Sequence, residues 1–266
     1  MFAIIVLQVK REVKEMKNNY ILVLDTETTD LTKALVYDLG YIVYDTTRER
    51  IELKKSILVK EVFRNREAML NAFYANKIGS YLEDLYIGLR TELTVKMAFK
   101  SLEKDIKKYN ISQIYAYNCD FDRRALAFTT DFYHLENPTE KIEFYDIRKY
   151  AIEAFFGKDY KEFAKEHGYI SDKGYYKTTA EVMYRYITNN TGFIEDHTAL
   201  EDSKIELEIL LKSGIEFGKK LKNTKTSLKD DNFSETVTIV IDKKEILEID
   251  YKSQMKRNNK IYFKTS

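Results

Sequence analysis

Three strand-like segments follow one another in the first quarter of the chain, and they constrain its fold more than any other feature. Residues 20–25 are apolar and end in an acid, residues 35–45 follow a short polar break, and residues 50–60 alternate like a third strand. Strands joined by short turns pair antiparallel, so a hairpin-linked meander is predicted. Gly40, inside the second segment, predicts a bulge or a close approach by another backbone.

The rest of the chain alternates between helix-like and strand-like segments. Apolar residues recur with a helical period over 62–108 and, around a glycine-containing break, over 148–187. Strands are predicted at 112–118 and in KIEFYDI, and a last helix from Ala199 to Gly214. A meander followed by alternation predicts an α/β fold with a mixed sheet flanked by helices.

Composition predicts four parts within the chain. Residues 219–231 are rich in Lys, Thr, Asn and Asp and are typical of a linker. The segment after it alternates like a hairpin around residues 242–244, and the chain from Lys252 is basic without an acid. The predicted parts are an N-terminal extension (1–18), a main domain (19–218), the linker (219–231) and a small basic β-rich extension (232–266).

The totals exclude several classes of function. The formal net charge is +1, so attraction to nucleic acid would depend on local patches or metal ions. A single cysteine, Cys119, excludes an internal disulfide framework and a cysteine-based zinc site, and favours a reducing cytoplasm. No apolar run approaches the roughly 20 residues that span a bilayer. The opening MFAIIVLQV lacks the preceding positive charge of a signal peptide and predicts a short strand, or a true start nearer Met16.

The first predicted strand ends in YILVLDTETTD, which places Asp25 and Glu27 two residues apart. In an extended chain both side chains point the same way. Two carboxylates at a buried strand end repel each other and lose solvation, and a divalent cation removes that cost. An apolar strand that closes in a polar turn is common, so a metal site requires partners elsewhere in the chain.

Two later segments supply such partners. Asp122 in YNCDFDRRAL follows a strand and begins a helix, where a helix N-cap is the alternative role. His197 and Asp202 in EDHTALEDSKIELEIL would lie roughly 140° apart on one continuous helix, so they converge only if His197 precedes the helix. Asp202 shares a helix face with Ile205 and Ile209 and is predicted to point inward. A lone histidine is otherwise more often an ordinary surface or core residue.

Taken in order, Asp-x-Glu, Asn-x-x-Phe-Asp and His-x-x-x-x-Asp resemble the DEDDh family of 3′-to-5′ exonucleases. That family includes the proofreading subunit of bacterial DNA polymerase III, ribonuclease T and oligoribonuclease. The resemblance covers roughly residues 19–215, and FYDI and TTAEVMYRYI make the chain similar to stand-alone phage-encoded members. The family fold is ribonuclease-H-like, with a mixed five-stranded sheet flanked by helices.

The resemblance implies a role for each matching residue. Two Mg²⁺ or Mn²⁺ ions would be held by Asp25, Glu27, Asp122 and Asp202, and His197 would be the general base. Thr198 stands where the tyrosine class of the family has Tyr, so the histidine class fits. Thr28, Thr29 and Leu31 match positions that contact the 3′-terminal nucleotide. Asn118 and Phe121 match a supporting pair with a structural role at the same substrate site.

The chain departs from the family at Asp30, where Gly is frequent, and at Tyr117, where His is frequent. The long interval between Asp25 and Asp122 marks residues 62–108 as an insertion.

The expected function is exonucleolytic release of nucleoside 5′-monophosphates from single-stranded nucleic acid, with DNA favoured. Three alternatives stay open: an exoribonuclease of the oligoribonuclease or ribonuclease T type, a ribonuclease-H-like endonuclease, which His-x-x-x-x-Asp disfavours, and a non-catalytic nucleic-acid-binding module. Residues 219–266 would dock a polymerase or replication partner. The basic stretch from Lys252 to Lys264 would either contact a nucleic acid backbone or form a solvated tail.

Overall fold

The computed structural model describes residues 19–70, 72, 74–221 and 228–230, together with the backbone of residues 236–241 and 245–250. The chain forms two compact units: residues 1–155 with 179–221, and residues 156–178 with 222–266.

The first unit is built on a mixed six-stranded sheet. Its strands are β1 (Tyr20–Thr28), β2 (Val36–Asp45), β3 (Arg50–Val59), β4 (Thr91–Leu93), β5 (Gln113–Ala116) and β6 (Glu143–Asp146). Their order is β4-β3-β2-β1-β5-β6. The first three strands pair antiparallel, as the meander predicted, whereas β4 joins β3, β5 joins β1 and β6 joins β5 in parallel.

Helices lie between and after these strands. They are α1 (Lys60–Phe63), α2 (Arg66–Leu70), α3 (Ile78–Tyr86), α4 (Val95–Lys108), α5 (Asp120–Phe132), α6 (Ile147–Phe155), α7 (Lys158–Glu166), α8 (Ala180–Thr188) and α9 (Ala199–Lys212), with a 3₁₀ turn at Ala75–Lys77. All but α7 belong to the first unit. Helix α9 packs on β1 and β2, and α4 packs on β3.

The core lies around the two central strands. Every residue of β2 is buried, polar ones included. A strand buried on both faces must be covered by other elements on both sides, so β2, with β1 beside it, lies at the centre of the first unit. The predicted fold class, an α/β mixed sheet flanked by helices, is confirmed.

One predicted segment is wrong in detail. Residues 62–108 do not form a continuous helical region, because they contain strand β4, and the sheet has six strands where the family resemblance implied five. The Thr-Glu-Leu strand is three residues long and pairs through only three residues of β3. A strand this short shows no periodicity that sequence could reveal.

In the second unit, helix α7 is followed by a bridge between Ile170 and Tyr176 and another between Tyr175 and Lys229. Strands β7 (Thr236–Ile241) and β8 (Glu245–Asp250) pair antiparallel, as expected of the predicted hairpin.

Residues 1–18, 242–244 and 251–266 lie outside the described residues, and the four-part division of the chain and partner docking on 219–266 remain predictions. Among the described helices, none combines the length and apolar character that a membrane span requires.

Candidate metal and catalytic site

Strand β1 brings the first two predicted acids together. Asp25 and Glu27 are partly buried near its carboxyl end. Their carboxylate oxygens and one of Asp202 all lie within 4.8 Å of one another. The alternation of a strand therefore places two acids on one side, and the third comes from a helix about 175 residues later.

Gly40 explains how that helix reaches β1. It is the β2 residue paired with Asp25. A Cβ at this position would lie 2.1 Å from the backbone carbon of Ala199, so only glycine lets the start of α9 rest on the sheet here. Ser203 Oγ then donates to the Gly40 carbonyl at 3.3 Å. The close backbone approach predicted at Gly40 is confirmed, and it sets Asp202 opposite Asp25.

His197 lies on the loop before α9, as convergence with Asp202 required. The helix begins at Ala199 with Thr198 as its N-cap, and the φ angle of His197 is +49°, in the left-handed region. Oxygen or nitrogen atoms of His197, Asp202 and Glu195 lie within 4.8 Å of one another. His197 Nδ1 is 3.6 Å from Glu195 Oε2.

Asp122 does not cap its helix, so the alternative role for this residue is wrong. The N-cap of α5 is Cys119, and Asp122 lies in the first turn. Its side chain is 2% exposed and accepts hydrogen bonds from Thr26 N at 3.0 Å and Thr26 Oγ1 at 2.8 Å. These bonds fasten α5 to β1 between Asp25 and Glu27.

A fifth buried carboxylate joins the four predicted ones. Glu206 is 3% exposed and lies four residues after Asp202, on the same face of α9. Within the described residues, Glu206 Oε2 and Asp202 Oδ1 are buried without a hydrogen-bond partner. The i, i+4 spacing from Asp202 was the signal in the sequence that could have identified Glu206. The acidic cluster is defined here as Asp25, Glu27, Asp122, Asp202 and Glu206.

Burial of the acidic cluster disfavours its ionised form. Burial first, and then the neighbouring carboxylates, raise the pKa of Glu27 to about 9 and of Asp202 to about 8. Burial raises the pKa of Asp122 to about 7, against the hydrogen bonds from Thr26. Burial and repulsion also place the pKa values of Asp25 and Glu206 well above their usual range. The fold holds these carboxylates together at a cost that a cation would offset.

The chemistry of the acidic cluster fits a divalent cation. Mg²⁺ and Mn²⁺ prefer carboxylate oxygens, and the close approach of Asp25, Glu27 and Asp202 supplies three of them. The unpartnered oxygens of Asp202 and Glu206 are acceptors that a cation would satisfy.

Sequence reasoning missed a second buried group of charges beside the acidic cluster. Asp38 is fully buried, and its Oδ2 accepts from Arg90 Nη1 at 2.8 Å and from Ala199 N at 3.1 Å. Arg90 Nε also donates to Asp84 Oδ2 at 2.8 Å. Asp38 lies 52 residues from Arg90 and 161 from Ala199, so no local pattern indicates these contacts. Asp38 therefore connects Arg90, which lies just before β4, with the N–H of Ala199 at the start of α9.

The positions predicted to contact or support the terminal nucleotide fall into two groups. Leu31 is 74% exposed, and with Phe121 it lines an open groove of about 450 Å³ that also includes Arg124 and Phe128. Both groove residues are therefore accessible to a ligand.

The other predicted positions are occupied by contacts within the protein. Thr28 and Thr29 are 9% exposed, and Thr28 Oγ1 donates to the Asp30 carbonyl at 3.0 Å. Asn118 has a φ angle of +60°, and its N–H donates to Asp146 Oδ1 at 2.9 Å. These contacts indicate structural roles and leave direct nucleotide contact a prediction.

Asp30, which departs from the family pattern, closes a turn. Its Oδ1 accepts from Thr32 Oγ1 at 2.6 Å and from Lys33 N at 3.1 Å. Hydrogen bonds from Thr32 and Lys33 lower its pKa to about 2. This carboxylate is satisfied by its own loop and is not needed as a metal ligand.

No protein-family model and no curated protein matches the chain. Solved structures that resemble it include 3′-exonucleases and a cell-death related nuclease. They include the nuclease domain of 3′hExo, described as a DEDDh family member bound to rAMP, with 13% identity over 74% of this chain and 92% of that one and a TM-score of 0.47. A 3′-exonuclease that recognises a histone mRNA stem-loop has 13% identity, coverages of 78% and 69% and a TM-score of 0.46. Cell-death related nuclease 4 has 15% identity, coverages of 73% and 63% and a TM-score of 0.43. These likenesses are distant, and function must be argued from the acidic cluster itself.

Proposed function

We propose that the chain is a metal-dependent 3′-to-5′ exonuclease that acts on single-stranded nucleic acid, with DNA the favoured substrate. The observation that carries the proposal is the convergence of carboxylates from β1, α5 and α9 beside a half-buried histidine. Phosphodiester hydrolysis requires charge neutralisation and an activated water, and this combination of groups is suited to both.

Two divalent cations fit the proposal. Asp25, Glu27 and Asp202 would hold one of them, because their oxygens already lie within 4.8 Å of one another. Asp25 and Asp122 would hold the second. When bound, such ions lower the pKa of water and neutralise charge on the phosphodiester.

His197 would accept the proton of the attacking water. Burial, and then the charge of Lys77, lower the pKa of His197 below its usual 6.5. The imidazole is therefore neutral at pH 7 to 8 and able to act as a base. Glu195, 3.6 Å from Nδ1, would orient the ring. The product would be a nucleoside 5′-monophosphate.

Leu31 and Phe121 would receive the terminal nucleoside in their groove. An apolar wall beside an aromatic ring suits a base without selecting its identity. The preference for DNA over RNA would depend on contacts with the 2′-OH.

The test is digestion of 5′-labelled single-stranded DNA and RNA of one sequence, with Mn²⁺ or EDTA. We expect a Mn²⁺-dependent ladder that shortens from the 3′ end and is lost in Asp25→Ala and His197→Ala. Asp120→Ala and His167→Ala are matched controls: Asp120 is an exposed acid two residues before Asp122, and His167 lies in the second unit.

Three other outcomes would change the proposal. Faster digestion of RNA would make the chain an exoribonuclease. Cleavage inside the labelled strand would indicate an endonuclease. Intact label with Mn²⁺, together with no Mn²⁺ uptake by calorimetry, would favour the non-catalytic binding module.

A further inference from the structure

The segment between β3 and β4 reaches His197. The Tyr74 ring stacks on the imidazole of His197, with centroids 4.6 Å apart and planes at 16°. Lys77 lies one turn further on, with Nζ 5.6 Å from the Tyr74 ring centroid and 3.9 Å from Asp196 Oδ1. The insertion predicted from the sequence therefore brings an aromatic ring and a cation to the proposed general base.

Stacking of Tyr74 on one face of the His197 imidazole is well suited to orienting this proposed general base. An imidazole on a loop has torsional freedom about its side-chain bonds, and a parallel ring within contact distance restricts that freedom while its edge nitrogens stay accessible. Tyr74 is not a neighbour of His197 in sequence, so the contact joins two separate parts of the first unit.

Lys77 brings positive charge to a strongly acidic region. Its Nζ lies 5.6 Å from the centroid of the Tyr74 ring, which stacks on His197, and His197 and Asp202 offer atoms within 4.8 Å of each other. The ammonium therefore lies on the side of the acidic cluster where His197 is. Its partner Asp196 is 68% exposed, and the ion pair is 3.9 Å long. The Lys77 side chain is 22% exposed, and a long contact with an exposed carboxylate holds it only weakly, so the ammonium can exchange Asp196 for a phosphate at little cost.

We propose that Tyr74 positions the His197 imidazole and that Lys77 binds the substrate phosphate beside the acidic cluster. The assignment rests on the proposed exonuclease function. A lysine ammonium binds phosphate as a point charge, and its flexible side chain can keep that contact when the phosphate shifts position.

The stacking is tested first by nuclear magnetic resonance, which needs no activity. The chain has three histidines, and the His197 imidazole signal is identified by its loss in His197→Ala. Tyr74→Ala should move that signal downfield by removing the ring current, whereas Tyr74→Phe should leave it in place. An unmoved His197 signal in Tyr74→Ala would overturn the positioning role.

Kinetics then measure what the stacking does. Tyr74→Ala should lower kcat by about 10–100-fold with a small change in KM, since misplacing a catalytic group costs rate more than binding. Tyr74→Phe should restore most of the rate. Tyr86→Ala, at a tyrosine that is 91% exposed, should behave as the wild type. A rate for Tyr74→Ala equal to that of Tyr86→Ala would contradict the proposal.

The phosphate role is tested by calorimetric binding of thymidine 5′-monophosphate to the Mn²⁺-loaded protein. Lys77→Met should weaken binding about 10-fold or more, as the loss of one charge-assisted contact predicts. Lys77→Arg should retain most of it, and Lys96→Met, on the exposed side of α4, should change nothing.

Equal affinity in Lys77→Met and the wild type, or no nucleotide binding by the wild type, would overturn the phosphate role. The two proposals fail separately. An inactive wild type defeats the exonuclease, while the His197 signal and nucleotide binding still decide the roles of Tyr74 and Lys77.

Discussion

Two groups of buried charge lie side by side in the first unit, and only one of them is neutralised by the chain. Glu27 and Asp38 are register partners on neighbouring strands. Asp38 is fully buried but has Arg90 at 2.8 Å and the Ala199 N–H at 3.1 Å. Among the described residues, no member of the acidic cluster forms a salt bridge.

The difference separates structural charge from functional charge. Burial raises the pKa of Asp38 too, but Arg90 and the Ala199 N–H oppose that shift. Burial, and then repulsion from neighbouring carboxylates, raise the pKa values of Asp25 and Glu27, and among the described residues neither has a cation in salt-bridge contact. Buried like charges that a fold leaves unpaired are candidates for a site completed from outside.

Removal of one carboxylate from the acidic cluster should give the largest effect, and it tests whether that cluster is functional charge. Asp25→Asn should lower exonuclease activity by about 10³-fold or more, because it removes a central ligand and charge stabilisation at the reaction centre. The same change should raise the melting temperature of the metal-free protein at pH 8, because it removes a buried repelling charge. Activity assays and calorimetric melting in EDTA measure the two effects. A lowered melting temperature in EDTA would contradict the view that the acidic cluster is strained without metal.

Removal of the internal cation should have the opposite effect on stability. Arg90→Met should destabilise the protein by about 3–5 kcal/mol, because it leaves Asp38 charged and buried. The double variant Asp38→Asn/Arg90→Met should recover part of that loss. Urea unfolding of the two variants, with and without Mn²⁺, measures the difference. If Arg90→Met were as stable as the wild type, the two groups of charge would not differ as argued.

A change of pH should alter the stability of the metal-free protein through the acidic cluster, without any mutation. The pKa values of Asp122, Asp202 and Glu27, about 7, 8 and 9, are raised above those of the unfolded chain. These groups therefore bind more protons in the folded state. Their contribution to stability is complete below about pH 4, the unfolded value, and is lost progressively as pH rises from there through the folded values of about 7 to 9. Melting in EDTA should fall over that interval.

Metal should remove this loss. A Mn²⁺ concentration of 100 times the Kd at pH 7 adds about 2.7 kcal/mol to the free energy of unfolding. At that same concentration the gain should grow with pH, because the Kd falls as the carboxylates lose their protons. Melting curves at pH 6, 7, 8 and 9 with Mn²⁺ or EDTA provide the measurement. A gain independent of pH would show that these carboxylates do not hold the ion.

Residue patterns within short stretches of the sequence predicted those parts of the site that depend on strand or helix periodicity. Strand alternation predicted that Asp25 and Glu27 share one side, and helix periodicity predicted that Asp202 points inward. Glycine inside a strand predicted a bulge or a close approach by another backbone, and the structure shows that α9 makes this approach. The break before α9 also placed His197 correctly in relation to Asp202.

The rest of the site depends on contacts between distant segments. Arg90 meets Asp38 across 52 residues, and Tyr74 meets His197 across more than 100. Neither residue lies in a repeating pattern that would distinguish it from its neighbours. Only Glu206 had a usable signal, its position one helical turn after Asp202.

The smallest expected effect concerns Asp30, an acid close to β1 that the chain satisfies by itself. Its pKa is lowered to about 2 by hydrogen bonds from Thr32 and Lys33, the reverse of the shift at Asp25. Its contribution to stability is therefore present above the unfolded value near 4 and is lost as pH falls toward 2. Asp30→Asn keeps the shape and removes the charge, so it should lower the melting temperature slightly at pH 7 and not at pH 2, with activity nearly unchanged. Melting temperatures of Asp30→Asn and the wild type from pH 2 to 7 provide the measurement. A difference that grew at low pH would mean that the charge of Asp30 destabilises the fold, as the charges of the acidic cluster do. Satisfied and unsatisfied acids at this end of β1 would then not differ.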